Sequence, residues 1–506
     1  MRTESHLALG RRLFIAGLAS AAMTLRRAWA AVVPRRDRVT LPEAHRGTLE
    51  IDTRLLDSYL SPDAKLRKFY FRARDVFASK SDASFTDQAI VKAAEDCDVT
   101  LMGGPLLGDL RSDGVTVWLR PASDHPCEVR VGSRSFSAHA ARAGEVVRIR
   151  LSGLNANQRY RYTVAIAGDE VASGDFTTAP GADARDVTRI TFGSCFHKIG
   201  LHNPNLVQTI RSRQPHAMML LGDLAVDDRR GNVSMHRADY QLRDVAPAWR
   251  ELASHVPLFA TWDDHDYFDN DLSGVPRKFQ TQDRDAVREI WRENWNNPVV
   301  ESSPDGIYFS TRVGPVEVIM LDTRSCRDNK RRNEYGSYLG EAQLTWLKDT
   351  LTKSSAKFKV ISSGTMWSDY VSKAKDSWGS WDTQAREELF QLIEDEGIGG
   401  VLLVSGDRHG ARGFRIPRPS GFDFYEFEPA TLGGVSGPAG RVEGCPEQLF
   451  GYSGRDNAGQ DFIAFGEFTF DMTTAEPSVT FRLITEIGEL KEEIPLQLET
   501  LTPKRT

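Results

Sequence analysis

Three carboxylates and one imidazole stand almost side by side in residues 262–266, whose sequence is Trp-Asp-Asp-His-Asp. The apolar run 257–261 precedes them and predicts a buried strand. Charges beside an apolar interior are costly unless they are paired or bind a metal. The cluster could cap a helix or close a salt-bridged loop, because carboxylates are common caps. It could equally supply ligands to metal ions.

Three other predicted strands also end in groups that can bind metal. Cys195 follows the strand 189–192, and Asp223 follows 217–221. Asp407 and His409 follow the strand 401–404. Ligand groups collect at the carboxyl ends of strands in open α/β sheets, so the recurrence favours one convergent site. Taken singly, Asp223 could be a turn residue and Cys195 an inert buried thiol.

These donors together suit a centre with more than one metal ion. Hard carboxylates favour calcium, magnesium, manganese or ferric iron, whereas imidazole and thiolate favour transition metals. A pair of ions clamps phosphate oxygens and makes a nucleophilic hydroxide at neutral pH. His265 is the candidate general acid, because the carboxylates beside it keep an imidazolium available. A third ligand or a structural histidine is the alternative for this position.

Other catalytic chemistries fit the sequence less well. A cysteine phosphatase needs an arginine six residues after its nucleophile, and Leu201 occupies that position after Cys195. Neither Ser194 nor Ser405 lies in a Gly-x-Ser-x-Gly elbow. No glycine-rich nucleotide loop follows a strand with the right spacing. The net charge of −6 gives no global basic field for nucleic acid.

The elements that would position these groups change character along the chain. From residue 187 to about 500, apolar strands alternate with helical stretches, which predicts a layered catalytic domain of helices and strands. Before it, residues 96–180 show roughly seven short alternating segments with a Tyr-x-Tyr strand at 160–162. This pattern is typical of an immunoglobulin or fibronectin-like β-sandwich with a tyrosine corner. Residues 31–95 form a lead segment with predicted helices near 63–77 and 87–95 and no assigned chemistry.

The N-terminus predicts export. Arg11 and Arg12 precede the short apolar segment 13–25, which ends at the small-x-small pattern of residues 28–30. Paired arginines before a modest apolar run are typical of a twin-arginine signal, so we expect residues 1–30 to engage the twin-arginine export machinery. The expected location is the periplasm or the cell exterior. An ordinary secretory signal or an uncleaved anchor is the alternative. No other apolar run is long enough to cross a bilayer, so no stable membrane span is expected after processing.

The ordered motifs resemble those of the alkaline phosphatase D (PhoD-like) family of metallophosphoesterases. They are residues 193–195, 222–223, 262–266, 322–324 and 405–409. The resemblance runs from about residue 99 to the C-terminus. It implies an α+β, four-layer metallophosphatase fold, with two mixed β-sheets flanked by helices, preceded by the β-sandwich. It also implies an exported hydrolase that acts on phosphomonoesters or phosphodiesters and uses calcium together with iron.

The same resemblance implies roles for individual residues. Cys195 matches the family's iron-binding cysteine and Asp223 its bridging aspartate. His265 matches the histidine that assists protonation of the leaving group, and Arg324 in the motif 322–324 is the other predicted catalytic residue. The remaining metal ligands that the resemblance implies are Asp264, Asn270, Asp407 and His409.

One departure from the family concerns the iron. Family members often carry a tyrosine ligand three residues after the bridging aspartate, whereas this chain has Val226, followed by Asp227 and Asp228. Either the ferric site is absent or one of these aspartates takes the ligand role. Manganese and zinc are therefore alternative metals.

The sequence thus predicts an exported metal-dependent phosphoesterase, with attack by a metal-activated hydroxide and His265 as general acid. Two alternatives remain open. One is a phosphodiesterase or phospholipase-type hydrolase restricted to lipid or cell-wall diesters. The other is a non-catalytic binding protein whose site is degenerate.

Overall fold

The computed structural model describes residues 32–298, 305–368, 377–455 and 459–504. The predicted export signal, residues 1–30, lies outside these ranges. Within them, no helix combines the length and the apolar character that crossing a membrane requires. The described residues from Arg35 onward belong to one compact unit.

Four short helices begin this unit, and each is preceded by a threonine or an aspartate. They are α1 (Leu41–Arg46), α2 (Leu49–Asp57), α3 (Ala64–Ser79) and α4 (Gln88–Asp96). The Thr48 hydroxyl accepts from the Ile51 N–H at 3.3 Å, and the Asp63 carboxylate accepts from the Lys65 N–H at 2.9 Å. These bonds satisfy amide groups that a helix start leaves unpaired. The helices predicted near 63–77 and 87–95 are confirmed.

Seven strands follow and form two small antiparallel sheets. They are β1 (Leu101–Arg111), β2 (Gly114–Pro121), β3 (Cys127–Val131), β4 (Arg134–Ala138), β5 (Val147–Leu151), β6 (Arg159–Ile166) and β7 (Asp169–Thr177). Their orders are β1-β2-β5 and β4-β3-β6-β7. Alternate residues face a shared apolar core, as the period of two requires. The Asn155 N–H donates to the Tyr160 hydroxyl at 2.9 Å, the backbone bond that defines a tyrosine corner.

Two larger mixed sheets carry the rest of the chain. The first has the order β10-β9-β8-β18-β19-β20 and the second β11-β12-β13-β14-β16-β15-β17. Strands β8 to β10 are mutually parallel, and so are β12, β13, β14 and β16. The bounds are β8 (Val187–Gly193), β9 (Ala217–Leu221), β10 (Leu258–Thr261), β11 (Phe309–Val313), β12 (Val316–Met320), β13 (Phe358–Ser362), β14 (Val401–Val404), β15 (Ala411–Pro417), β16 (Asp423–Pro429), β17 (Gln448–Tyr452), β18 (Ala464–Asp471), β19 (Ser478–Thr485) and β20 (Leu490–Gln497).

The alternation of side chains along these strands creates four layers. Met219 of β9 and Val360 of β13 face a core between the two sheets, while Met218 and Ile361 face the helices on either side. The rings of Phe427 and Phe481, one from each sheet, stack at 4.3 Å across the central core. This arrangement of helices, sheet, sheet and helices confirms the predicted four-layer α+β fold.

Helices cover the outer faces of both sheets. They are α5 (Pro204–Ser212), α6 (Val233–Val245), α7 (Pro247–Ala253), α8 (Asp264–Tyr267), α9 (Thr281–Asn294), α10 (Glu341–Lys353), α11 (Trp378–Trp381) and α12 (Thr383–Asp395). Short 3₁₀ turns lie at Ile199–His202 and Asn329–Arg331. The β-sandwich contacts this body directly, since the Tyr162 hydroxyl donates to the Ser254 carbonyl at 3.0 Å. The division into segments 31–95, 96–180 and 187–500 stays a prediction.

One buried histidine joins the sandwich to the first large sheet and makes folding sensitive to acid. The Arg189 N–H donates to Nδ1 of His216 at 3.1 Å, so the ring proton lies on Nε2, which donates to Asn157 at 3.1 Å. Burial lowers the pKa of His216 from 6.5 to about 4. Protonation is therefore easier in the unfolded chain, and stability falls as the pH drops from about 6.5 towards 4. A shift of this size corresponds to about 3 kcal/mol.

We expect His216→Asn to weaken this pH dependence, because asparagine can both accept and donate without titrating. The measurement is the free energy of unfolding in urea at pH 7 and pH 4.5. The exposed His139, replaced in the same way, is the control and should follow the unmodified chain. An equal acid-induced loss in the His216 variant and the unmodified chain would contradict the assignment.

Candidate metal centre

The loops after the strands hold several donor residues in an unusual backbone conformation. Cys195, His197, Asp223, Asp407 and His409 have φ angles of 58°, 45°, 56°, 73° and 52°. A left-handed conformation costs a residue with a side chain about 1–3 kcal/mol, and such residues cluster at functional sites. Four of these five strained residues, all except His197, are ones that the sequence singles out for chemistry.

Parallel pairing brings three of these loops together. Gly193 of β8 lies opposite Leu220 of β9, and Leu221 lies opposite Thr261 of β10. The loops that follow therefore leave the same edge of the sheet. Gly222, with φ of 104°, lets the next loop approach closely, because a Cβ there would lie 2.5 Å from the Cβ of Asp263.

The Cys195 group consists of Cys195, His197, Asp223 and His409, each offering one ligand atom within 4.8 Å of the others. The two imidazole Nε2 atoms of His197 and His409 are 2.9 Å apart. Oδ2 of Asp223 lies 3.6 Å from His197 Nε2 and 3.7 Å from the Cys195 sulfur. One sulfur, two nitrogens and one oxygen are a donor set for a transition metal.

Carboxylates continue this centre on the other side of Asp223. Asp223, Asp264 and His265 form one set of ligand atoms within 4.8 Å, and Asp263, Asp264 and Asp407 form another. Asp223 therefore belongs both to the Cys195 group and to the set that it forms with Asp264 and His265. A shared carboxylate between neighbouring donor sets is the arrangement that can bridge two ions.

Burial and like charge make these groups hard to ionise without a compensating cation. Burial, together with the carboxylates of Asp264 and Asp263, raises the pKa of Asp223 well above its ordinary value. Burial and the nearby Asp223 also raise the pKa of the Cys195 thiol. Cations bound among these side chains would supply the missing positive charge.

Arg324 supplies part of that charge from within the protein. The side chain is fully buried, and its Nε pairs with Oδ1 of Asp263. Its Nη2 lies 3.6 Å from Asp264 and 3.9 Å from Asp407. Burial would raise the pKa of Asp264, but the guanidinium of Arg324 outweighs this effect and holds it well below its ordinary value.

His265 is held by a carboxylate of its own. Its Nδ1 lies 2.6 Å from Oδ1 of Asp228, and the Asp228 N–H donates to the His265 carbonyl at 3.3 Å. Burial would lower the pKa of His265, but Asp264 and Asp223 raise it well above its ordinary value. The imidazole is therefore oriented by Asp228 and kept protonated by its surroundings.

The structure brings together most of the residues that the sequence singled out. Cys195, Asp223 and His409 meet in one group, and Arg324 lies among the carboxylates of Asp264 and Asp407. Asn270 does not join them: it is exposed, and its N–H donates to the Asp269 carboxylate at 2.9 Å.

The position of the family tyrosine provides no ligand in this structure. Val226 is fully buried in an apolar cluster with Leu224 and Ala225. The next residue, Asp227, lies instead among imidazoles, with Oδ1 3.6 Å from Nδ1 of His197. The sequence left two alternatives here: either the ferric site is absent, or an aspartate takes the ligand role. Asp227 lies where it could take that role.

Sequence reasoning missed two histidines. His197 lies two residues after Cys195 at the end of β8, and this spacing was a usable signal. His45 lies in α1, in the segment to which no chemistry was assigned, yet its ring stacks on His265 with centroids 4.4 Å apart. Nothing near His45 in the sequence marks it, because its partners come from distant segments.

Residues 207–438 match the family model described as PhoD-like phosphatase. These residues are therefore similar to a PhoD-like phosphatase domain. The matched residues include Asp223, Asp264, His265, Arg324, Asp407 and His409, whereas Cys195 and His197 lie just before them. Alkaline phosphatase D of Bacillus subtilis (strain 168) is 25% identical over 381 residues, covering 60% of this chain and 64% of that protein. The chain thus matches less than two thirds of the length of this relative.

Two solved structures share the fold of most of this chain. A structure of PhoD superimposes with a TM-score of 0.62 at 19% identity and covers 79% of this chain and 91% of the other. Purple acid phosphatase PPD1 from yellow lupin seeds gives a TM-score of 0.54 at 13% identity, with 78% and 74% coverage. Both likenesses establish a metallophosphatase-like fold.

Proposed function

We propose that the chain is a metal-dependent phosphoesterase that hydrolyses phosphomonoesters, phosphodiesters or both. The observation that carries the proposal is the position of Asp223, which belongs both to the Cys195 group and to the set that it forms with Asp264 and His265. The match of residues 207–438, which include Asp223, to the PhoD-like phosphatase family supports the proposal. The paired arginines Arg11 and Arg12 support export by the twin-arginine route to the periplasm or the cell exterior.

The side chains fit metal ions. Oδ1 of Asp223 and Nδ1 of His197 are buried without a hydrogen-bond partner among the described residues. Buried polar atoms left in this state are costly unless a ligand completes them. We assign a transition metal, iron or zinc, to the Cys195 group, and calcium or manganese to the carboxylates Asp223 and Asp264, with Asp407 beside Asp264. Bound ions would polarise the phosphoryl group and lower the pKa of an attacking water.

Two side chains of the protein, His265 and Arg324, have roles in the proposed reaction besides those of the metal ligands. Nδ1 of His265 is bonded to Asp228, which leaves the Nε2 proton to be donated to the leaving-group oxygen. Arg324 holds Asp263 and lies beside Asp264 and Asp407, so its part in catalysis is to keep these carboxylates in place. The enclosed surroundings of His265, whose side chain is 6% exposed, strengthen these charge interactions.

The test uses two substrates with different leaving groups. The purified chain should hydrolyse a nitrophenyl phosphate and an alkyl phosphate, and prolonged treatment with a chelator should stop both reactions. His265→Ala should lower kcat on the alkyl ester by about 10²–10⁴-fold, the usual contribution of a general acid. The loss on the nitrophenyl ester should be much smaller, because nitrophenolate leaves without a proton.

The exposed His125, replaced by alanine, is the control for this experiment. Equal losses on the two esters in the His265 variant would remove the general-acid role. Chelator-resistant hydrolysis, or no hydrolysis of any ester, would overturn the proposed function. A diester in the same panel separates the restricted diesterase from the general phosphoesterase. Fewer than about one metal ion per chain would favour the binding protein.

A further inference from the structure

A further set of metal donors lies next to the Cys195 group and contains His45, one of the two histidines that the sequence did not mark. His45, Asp227, Asp228 and His265 each offer one ligand atom within 4.8 Å of the others. His265 also belongs to the set with Asp223 and Asp264, but none of the four residues belongs to the Cys195 group, so these two sites share no donor.

Asp227 is the central donor of this set. It is fully buried, and neither of its carboxylate oxygens has a hydrogen-bond partner among the described residues. Its Oδ1 lies 3.4 Å from Nε2 of His45 and 3.6 Å from Nδ1 of both His197 and His265. A buried carboxylate oxygen that faces three imidazole nitrogens at these distances lacks the close contact that a hydrogen bond requires.

The distances from Asp227 to these imidazole nitrogens are close to the distance between two ligand atoms of a single metal ion. Two atoms bound to a tetrahedral zinc at about 2.0–2.1 Å are about 3.4 Å apart. His45 and Asp227 show this separation, and Asp227 and His265 nearly so. Asp228 completes the set, because one ligand atom from each of the four residues lies within 4.8 Å of the others. Its 3.4 Å contact with His45 is to Nδ1, the ring nitrogen that does not face Asp227.

A turn that is fixed by hydrogen bonds positions His45 beside the other donors. It lies near the end of α1, which Gly47 terminates with φ of 50°. The Gly47 carbonyl accepts from Arg74 at 3.1 Å and from Arg229 at 3.2 Å, and Arg229 also pairs with the buried Asp239 at 2.7 Å. Arg229 directly follows Asp228, so the turn that carries His45 is tied to the loop that carries the other donors.

We propose that His45, Asp227, Asp228 and His265 form a further site for a divalent cation, separate from the Cys195 group. Two imidazoles and two carboxylates suit zinc, manganese or another first-row transition metal. Binding releases to solvent the proton that Nδ1 of His265 shares with Asp228. The proton on Nε2 stays in place, and the cation then fixes the orientation of the same imidazole. The site is defined by metal content and does not depend on the proposed phosphoesterase activity.

The experiment counts ions in the full chain after metal removal and reloading with cobalt(II). His45→Ala should bind about one ion fewer per chain than the unmodified protein. Only the Cys195 group contains a thiolate, so its sulfur-to-cobalt charge-transfer absorption should remain in this variant. Cys195→Ser should give the opposite result, with the absorption lost and the site at His45 still filled. The exposed neighbour Arg46, replaced by alanine, should leave both readouts unchanged.

Asp227→Asn provides a second variant that leaves α1 intact, and it should also lose one ion while it keeps the absorption. An unchanged ion count in both variants would overturn the proposal. Loss of the thiolate absorption in His45→Ala would overturn the separation of the two sites. Because the readouts are ion number and spectrum, a chain that hydrolyses no ester can still support the cation site.

Discussion

Asp223→Asn should abolish ester hydrolysis and yet leave the metal-free protein at least as stable as the unmodified chain. Asp223 belongs both to the Cys195 group and to the set with Asp264 and His265, so the amide removes one negative charge from each of the two ion sites. We expect kcat/KM to fall by at least about 10²-fold, a loss of about 3 kcal/mol in transition-state stabilisation. Stability should move the other way, because a buried carboxylate with a strongly raised pKa is replaced by a neutral group.

The two effects are measured on the same preparations. Turnover of a nitrophenyl phosphate and ion content are determined in the loaded protein, and the melting temperature is determined in excess chelator. Asp82→Asn, at an exposed position, is the control and should change none of these quantities. Full turnover in the Asp223 variant would contradict the site, and a lower melting temperature in chelator would show that Asp223 serves mainly to hold the structure.

Arg324→Ala should cause the largest loss of stability among single substitutions in the centre. The buried guanidinium pairs with Asp263 and lies within 4 Å of Asp264 and Asp407. Removing one partner from a buried ion pair costs about 3–5 kcal/mol, because the remaining charge is left uncompensated. The loss should be smaller when metal is bound, since cations then neutralise the same carboxylates.

Urea denaturation of the Arg324 variant, with and without metal, measures both parts of this prediction. The exposed Arg142, replaced by alanine, is the control and should change the free energy of unfolding little. If the free energy of unfolding of the metal-free protein fell by less than about 1 kcal/mol, Arg324 would contribute no more than an ordinary surface ion pair. A loss that does not depend on metal would separate Arg324 from the ion-binding carboxylates.

Periodicity and strand ends predicted much of the fold and the centre of the site. The apolar runs before Cys195, Asp223 and Asp407 are buried strands in the structure, and parallel pairing of β8 to β10 brings the first two loops to one edge. This works because a strand's direction and its neighbour fix where the next residue lies. The layered order of helices and sheets follows from the same alternation of apolar faces.

Contacts between segments that are distant in the sequence could not be predicted from periodicity or strand ends. His45 meets His265 only because the turn at Gly47 docks against Arg229, and no local pattern encodes that docking. The sequence showed that Val226 replaces a tyrosine, but not which aspartate would face the imidazoles. Turn geometry decides it, since Asp227 points to His197 whereas Asp228, with φ of 53°, bonds to His265.

The hydrogen bonds that Arg74 and Arg229 donate to the Gly47 carbonyl affect the order in which the protein can fold during synthesis. Residues made early in synthesis close a pocket whose other walls are made some two hundred residues later, so the pocket cannot be assembled piecemeal from the N-terminus. A truncation that removed α1 would therefore take His45 out of the pocket, although every strand of the two large sheets would remain.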